Sequence, residues 1–266
     1  MRLFHARGVT FKKFREKPDL TAEDIKARFK FGKKHRKKSA RQWLSAVDIH
    51  IGCKWFKVFL NGKARNHAAR ERTWGAFRGR AEGLGKPHIR PRKDLKFNTG
   101  ARGVMILAGV GPKGMMVWEV VHGRWNAKKA AEMYKGPIKT AVRKARPSKR
   151  KFVCLEDNDP TGFKSKKAIQ AKAESRIETF DLPKRSPQLN VLDYTVWSEI
   201  NKRMRKQELG YPHNKKETRS QYLMRLRRTA MRLSPKYLKA SIMNLKTRCQ
   251  RLYDAKGGHI EEGRCA

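Results

Sequence analysis

Acidic residues are scarce in this chain of 266 residues. It has 23 Asp and Glu against 66 Lys and Arg, so its formal net charge is +43. A compact chain with this excess repels itself unless a polyanion screens the charge. Nucleic acid is therefore the favoured partner, and an anionic membrane surface and an acidic protein are the alternatives. No segment combines a basic face with a strongly apolar one, which disfavours the membrane surface.

Cysteines and long apolar stretches are also few. The cysteines are far apart and form no Cys-x-x-Cys pair, so the sequence indicates neither a zinc site nor a disulfide framework. They are Cys53, Cys154, Cys249 and Cys265. No stretch reaches the roughly 18 apolar residues of a membrane span, and no hydrophobic signal core follows Met1. We expect a soluble chain that is not secreted and has no membrane partner.

The 6 Trp, 12 Phe and 6 Tyr indicate a packed core rather than disorder throughout. Short apolar strands alternate with helical patterns, which predicts an α/β fold. We expect a basic helical N-terminal segment over residues 1–40, an α/β domain over 41–206 and a basic helical region over 207–266. Between about 54 and 103, a hairpin followed by a Gly-, Arg- and Pro-rich loop arm is predicted as an insertion.

Local patterns set the expected elements. Thr21 precedes two acids and predicts the N-cap of a helix. The mostly apolar run Gln42–Ile51 predicts a buried strand, and Asn61-Gly62 predicts a hairpin turn. A helix is expected from Asn126 to about residue 145, with a break near Pro137.

The segment after residue 186 predicts a further helix. Asn190 is a suitable N-cap for it. Apolar residues then recur at helical spacing and form a stripe for burial. They are Leu192, Val196, Ile200 and Met204.

Clusters of basic residues are candidate nucleic-acid contacts. The cluster that begins at Lys33 fits a solvated helix end as well as phosphate contact or nuclear import. Trp74 and Phe77 lie among arginines, a mixture that fits stacking on DNA and equally an anchored loop. The predicted DNA contacts are Lys33, Lys34, Arg36, Lys37, Lys38, Arg78, Arg80 and Lys164.

Three carboxylates occupy unusual places. Asp48 lies in an otherwise apolar run, where an ionised acid is costly unless it is paired or bound to a cation. Asp157 ends an apolar strand, and Asp193 begins a helix. Three such oxygen donors can hold two divalent ions about 3.5–4 Å apart for in-line phosphoryl transfer. Taken singly, each is more often a capping or turn residue: Asp193 fits stabilisation of a helix N-terminus, and Asp48 fits a salt bridge to a Lys or Arg. His50 could assist such a site, although a histidine bonded to backbone is the favoured interpretation.

Two motifs around these acids resemble a known family. CLEDNDPTGFKS, which contains Asp157, and RSPQLNVLDYTVW, which contains Asp193, are similar to the second and third catalytic blocks of mariner-type cut-and-paste transposases. The two acids have 35 residues between them, close to the spacing of that family. The segment ending in Asp48 resembles the first catalytic strand of the family. The resemblance extends over roughly residues 20–260.

The resemblance implies a fold and an activity. The fold would be a ribonuclease H-like mixed sheet flanked by helices, with basic helical extensions. Asp48, Asp157 and Asp193 would bind Mg²⁺ or Mn²⁺ and catalyse DNA cleavage and strand transfer, with Asn158 and Asn190 shaping the surroundings of the metal. The partners would be double-stranded DNA at the transposon ends and the target, and a second copy in a homodimer. The location would be nuclear in a eukaryote.

Three departures from the family pattern leave other functions open. Ile49 follows Asp48 where the family has Glu, and Gly162 and Phe163 lie where a His is common. The paired helix-turn-helix modules that precede the family's catalytic domain are expected to be missing. A decayed or repurposed transposase that binds nucleic acid without cutting it is one alternative. A basic structural protein of a ribonucleoprotein particle is another.

Overall fold

The computed structural model describes residues 9–13, 15–17, 19–58, 74–78, 89–91, 103–211 and 217–260. Within these ranges the strands are β1 (Val9–Lys13), β2 (Arg15–Lys17), β3 (Ile49–Lys57), β4 (Trp74–Arg78), β5 (Ile89–Pro91), β6 (Gly103–Gly111), β7 (Gly114–Val121), β8 (Phe152–Leu155) and β9 (Ile177–Phe180). The predicted turn at Asn61-Gly62 and most of the arm over 75–103 lie outside the described residues.

Five strands form one mixed sheet in the order β7-β6-β3-β8-β9. Strands β7, β6 and β3 are antiparallel neighbours. Strand β3 pairs with β8 in parallel, and β8 pairs with β9 in parallel. Two short pairs lie apart from this sheet, with β1 antiparallel to β4 and β2 parallel to β5. The long antiparallel strands therefore lead into a parallel half, where β8 and β9 end level with each other and β3 continues past them in the same direction.

The described helices are α1 (Ala22–His35), α2 (Ala40–Ala46), α3 (Ala127–Met133), α4 (Lys139–Ala145), α5 (Lys166–Glu174), α6 (Trp197–Leu209), α7 (Arg219–Met231), α8 (Pro235–Met243) and α9 (Leu245–Asp254). A π-helical turn over Tyr134–Ile138 joins α3 to α4, and another over Leu192–Val196 leads into α6. Within the described ranges, no helix is long and apolar enough to span a membrane.

Helices cover both faces of the five-stranded sheet. One core contains Trp43, Val104 and Ile106 together with the apolar stripe predicted for the segment after residue 186. The second core contains Ile49, Leu107 and the inner residues of α3 to α5. The buried stripe is confirmed, since all four of its members are less than 5% exposed. The predicted α/β fold with helices on both faces is confirmed as well.

The start of β3 differs from the sequence prediction. The apolar run from Gln42 predicted a strand, but residues 40–46 form α2 and the strand begins at Ile49. Ser39 and Gln42 explain the difference, because they form a capping box: the Ser39 hydroxyl accepts the Gln42 amide and the Gln42 side chain accepts the Ser39 amide. Thr21, in contrast, caps α1 as predicted.

The predicted break near Pro137 is confirmed. Pro137 lies inside the π-helical turn, and Gly136 there has non-helical angles, with φ −102° and ψ −105°. A proline lacks the amide hydrogen that a regular helix needs at this point, so the helical register changes.

Arg28 joins the first described helix to the end of the chain. Its guanidinium is wholly buried and donates to the carbonyl oxygens of Gly257 and Gly258 at 2.7 and 2.8 Å. Phe29 of α1 also stacks on Tyr253 of α9, with ring centroids 5.2 Å apart. Helices from the two ends of the described chain therefore pack on each other. The domain boundaries at 40 and 206 stay a prediction.

A buried ion pair connects β8 to α5. Lys172 donates to Glu156 at 2.5 Å, and both side chains are at most 5% exposed. Tyr134 donates a short hydrogen bond to the same carboxylate, and Lys172 also donates to Thr179 of β9 at 3.0 Å. Burial raises the pKa of Glu156, while the Lys172 ammonium opposes that shift. Glu156 thus depends on Lys172 to remain charged in the core.

We predict that Lys172→Met lowers the free energy of unfolding by about 3 kcal/mol, because it removes the nearest cation of the buried Glu156 carboxylate and leaves only Lys164, at 3.9 Å. Chemical denaturation at pH 7 measures this change. Lys167→Met, on the exposed side of the same helix, is the control and should change stability by less than about 0.5 kcal/mol. The double variant Glu156→Leu with Lys172→Met should recover most of the loss. Equal stabilities of the two single variants would contradict this account of the pair.

Candidate carboxylate site at the sheet edge

Asp157 follows the last residue of β8 by two positions, where the parallel strands end. Its side chain is exposed, and one carboxylate oxygen accepts the Asp159 amide at 3.0 Å. Asp159 is itself fixed, since its carboxylate accepts the Trp125 indole at 2.9 Å and the Thr161 amide at 3.0 Å. The turn after β8 therefore holds two carboxylates at the edge of the sheet.

Asp193 lies in the first turn of the helical segment that leads into α6, and its side chain is exposed. Its amide donates to the Asn190 carbonyl at 3.0 Å. The buried Asn190 side chain donates to the Ile51 carbonyl of β3 at 3.1 Å and accepts the Leu192 amide at 3.1 Å. This amide side chain connects the start of the helix to the first part of β3. It caps the turn as predicted and brings Asp193 toward the sheet.

The thiol of Cys53, on β3, lies near the predicted acids. Burial raises the pKa of its thiol, and the charges of Asp157, Asp159 and Asp193 raise it further. Protein atoms around the Asp157 carboxyl displace part of its water and raise its pKa, although the residue keeps an exposed surface, and the Asp159 charge adds to that shift. The strand register and the Asn190 bond to the Ile51 carbonyl place the turn after β8 and the helix start beside the same part of β3. The sequence-predicted Asp157 and Asp193 are brought together there.

Asp48 lies elsewhere. It precedes β3, is 4% exposed, and accepts the Lys149 ammonium at 2.6 Å and the Val153 amide at 2.7 Å. Arg146 lies 3.7 Å from its other oxygen. Its own amide donates to the Val153 carbonyl at 2.8 Å, so Asp48 is level with the start of β8. Four extended residues separate Val153 from Asp157, which is about 13 Å along the strand.

This placement corrects the expectation that Asp48 joins the other two acids. Asp48 is a buried salt-bridge residue at the opposite edge, which was the other interpretation of its pattern. The physical reason is the parallel register of β3 on β8, which pairs Ile49 with Cys154 and so leaves Asp48 level with the start of β8.

Gly52 occupies the strand position beside Asp157. The parallel register pairs Ile49 with Cys154 and His50 with Leu155, and continuing it by two residues sets Gly52 against Asp157. A Cβ built on Gly52 would lie 3.5 Å from the Asn190 amide nitrogen and from Leu192. Position 52 therefore faces the helix start that carries Asp193. Sequence reasoning missed this position, because a glycine carries no chemical signal; only the register of the sheet identifies it.

The donor set does not fit the metal that the family resemblance implies. Among the described residues, no three His, Cys, Asp or Glu side chains lie close enough to hold an ion together. Asp157 and Asp193 supply two carboxylates, and the strand position between them has no side chain. A two-metal centre of the expected kind needs a third carboxylate there.

Asn158 has a local structural contact. Its amide nitrogen donates to the Leu182 carbonyl at 2.7 Å, which connects the turn after β8 to the segment after β9. Its expected influence on a metal stays a prediction.

The predicted DNA contacts fall into three groups. Lys33, Lys34 and Lys37 are exposed near the end of α1. Three others already have partners: Arg36 lies 4.0 Å above the Tyr253 ring, Lys38 lies 5.7 Å from the Trp43 ring, and Lys164 pairs with Asp181 at 2.7 Å. Only the backbone of Arg78 is described, and Arg80 lies outside the described residues. Their roles on DNA stay a prediction.

His50 is wholly buried between Val110 of β6 and Leu155 of β8. Neither ring nitrogen has a hydrogen-bond partner within the described part of the chain. The expected bond to backbone is therefore wrong. Burial lowers the pKa of His50 to about 3, so the ring is neutral in the folded chain.

A mixed five-stranded sheet with helices on both faces and acids where its parallel strands end is the ribonuclease H-like fold of transposase catalytic domains. Solved structures similar to this chain include several of Mos1 mariner transposase. Its catalytic domain has a TM-score of 0.66 at 13% identity, over 92% of this chain and 99% of that one. A Mos1 paired-end complex with Mn gives 0.68 at 14% identity, over 94% and 68%. A pre-cleavage Mos1 transpososome gives 0.70 at 15% identity, over 98% and 70%.

At these identities the similarity establishes the fold, and it confirms the ribonuclease H-like fold that the two motifs implied. No protein-family model matches the chain, and no curated protein sequence matches it.

We predict that His50 makes the folded chain sensitive to acid. The unfolded residue has a pKa near 6.5 and the folded one about 3, so only the unfolded chain takes up this proton as the pH falls below 6.5. The free energy of unfolding should therefore be lower at pH 5 than at pH 7 by about 2 kcal/mol from this residue alone. His50→Leu should remove that part of the pH dependence, as measured by denaturation at both pH values. The exposed His122→Gln is the control, and an equally steep dependence in both variants would contradict the assignment.

Proposed function

We propose that this chain is a transposase-like protein that binds double-stranded DNA and that its wild-type carboxylate site does not cleave it. The observation that carries the second part is the glycine at position 52. Two-metal phosphoryl transfer needs carboxylates that bridge and flank the ions, and each missing donor leaves an ion bound mainly by water. Asp48 does not substitute, because Lys149 and the Val153 amide already occupy its carboxylate.

The charge of the chain supports the DNA part of the proposal. A net charge of +43 gives strong attraction to any duplex at physiological salt. The similar solved structures include Mos1 complexes described as paired-end, pre-cleavage and strand-transfer assemblies. Binding as a homodimer is part of the proposal by analogy with a paired-end assembly. Nuclear location in a eukaryote stays a prediction from the sequence.

Metal-dependent DNA cleavage and strand transfer is the second candidate function. Asp157 and Asp193 favour it, since both acids of the two resembling motifs are present with the spacing of the family. Mos1 structures have been solved with Mn and with Mg, so these are the ions to test. The two candidates differ in one respect only, which is whether the site works without a carboxylate on β3.

Gly52→Asp separates the two candidates. The Cβ contacts at position 52 are ordinary van der Waals distances and Gly52 has no positive φ, so a Cβ fits there without backbone strain. We predict that Mn²⁺ at about ten times its Kd raises the Tm of Gly52→Asp by about 3–6 °C and leaves the wild type unchanged. Differential scanning calorimetry with Mn²⁺ and with EDTA measures the shift. The restored site should also nick supercoiled plasmid.

Two variants control this experiment. Gly52→Asn has nearly the same shape without the charge and should show no Mn²⁺ shift. Asp157→Asn added to Gly52→Asp should abolish both the shift and the nicking. Metal-dependent nicking by the wild-type chain that is lost in Asp157→Asn alone would overturn the proposal in favour of cleavage. DNA binding should be equal in all of these chains.

A further inference from the structure

A strongly basic surface lies at the edge of the sheet where β8 and β9 begin, at the opposite end of β8 from the carboxylate site. We call it the basic edge, and it consists of Arg143, Lys144, Arg146, Lys149, Arg150, Lys151 and Arg176. All seven side chains are exposed. Six of them fall within nine consecutive residues, 143–151, which contain no acid. None of them belongs to the DNA contacts that the sequence predicted.

The acids that face the basic edge are too few to neutralise it. Asp48 is paired with Lys149, and Glu178 lies 3.5 Å from Lys151 with both side chains exposed. Glu174, at the end of α5, is already paired with Lys135 at 2.7 Å. Arg146 lies 3.7 Å from Asp48. The other four residues of the basic edge form no ion pair with an acid in the described part of the chain: Arg143, Lys144, Arg150 and Arg176.

The backbone fixes these charges in place. The Lys149 amide donates to the Arg146 carbonyl at 3.1 Å and forms a turn between α4 and β8. The bond from Lys149 to the buried Asp48 fastens that turn to β3. On the neighbouring strand, the Arg176 carbonyl accepts the Phe152 amide at 2.9 Å. Arg176 has a φ of 58°, a conformation that non-glycine residues rarely adopt, so the turn holds it beside Lys151.

The basic edge is remote from the carboxylate site. Lys151 and Asp157 lie at the two ends of β8, six extended residues apart, which is about 20 Å. The Debye length at physiological salt is about 8 Å, so charges at this distance are screened from each other. The two edges therefore act as separate electrostatic surfaces.

We propose that the basic edge is a second binding surface for double-stranded DNA, so that one chain contacts two separate duplexes. This inference rests on the proposed DNA binding and extends it. Phosphates suit the surface because six arginines and lysines lie within residues 143–151, from the end of α4 to the start of β8, close enough to contact successive phosphates of a backbone. A membrane does not suit it, since the exposed large apolar residues of the described chain all lie outside residues 143–151.

A bridging assay tests the inference. A biotinylated 20-bp duplex on beads is mixed with the full chain and a fluorescent 20-bp duplex of different sequence at 150 mM salt, and the retained fluorescence is measured. The edge variant replaces Arg143, Lys144, Arg150 and Lys151 by Gln and keeps Lys149 and Arg146 for the contacts with Asp48. The control variant removes the same charge from the exposed residues Lys202, Arg205, Arg227 and Lys236, also by Gln.

We expect the wild type and the control variant to retain the second duplex and the edge variant to retain it at least fivefold less. Binding of a single duplex should fall equally in the two variants. Equal bridging by both variants would overturn the second surface and assign bridging to a dimer or to charge in general. A wild type that binds one duplex without bridging would also overturn it. A wild type that binds no duplex would instead contradict the proposed DNA binding.

Discussion

The parallel pairing of β3 with β8 decides what this molecule brings together. Since Ile49 pairs with Cys154, the residue just before β3 lies level with the start of β8, and the residue just after Ile51 lies level with the turn that follows β8. The pairing therefore sends Asp48 to one edge of the sheet and sets Gly52 beside Asp157 at the other. The Asn190 side chain adds the third element, because it bonds to the Ile51 carbonyl and so fixes Asp193 against the same strand.

The two edges of the sheet have opposite electrostatic character. Acids collect where β8 ends; burial raises the pKa values of Asp157 and Cys53, and the charges of neighbouring acids raise them further. Arginines and lysines collect where β8 begins, around the buried Asp48. In a chain with 66 basic residues, a cluster of acids at one edge is unusual and indicates a functional site. The carboxylate that this site lacks at position 52 is therefore the feature that decides the activity of the chain.

The sequence predicted the fold class and most of the helices, because burial stripes and capping residues act locally. Thr21, Pro137 and the stripe from Leu192 to Met204 have the roles that their patterns indicated. The prediction of a strand from Gln42 to Asp48 was wrong, because the capping box of Ser39 and Gln42 starts a helix in spite of the apolar run that follows.

The site could be predicted only in part for a related reason. Asp157 and Asp193 lie in recognisable motifs, whereas the residue opposite Asp157 depends on a strand register that no local pattern states. Asp48 is the only acid in the apolar run, so the sequence pointed to it. The residue that the strand register sets opposite Asp157 is Gly52. His50 was also misjudged, because burial without a partner cannot be read from a single residue.

Diffraction from wild-type crystals grown with a DNA duplex and Mn²⁺, recorded at the manganese absorption edge, tests the central claim most directly. An incomplete site predicts no anomalous peak shared by Asp157 and Asp193 while the duplex is bound. Two peaks about 4 Å apart, coordinated by these two carboxylates, would contradict it and show that the chain holds a working metal pair without a carboxylate on β3.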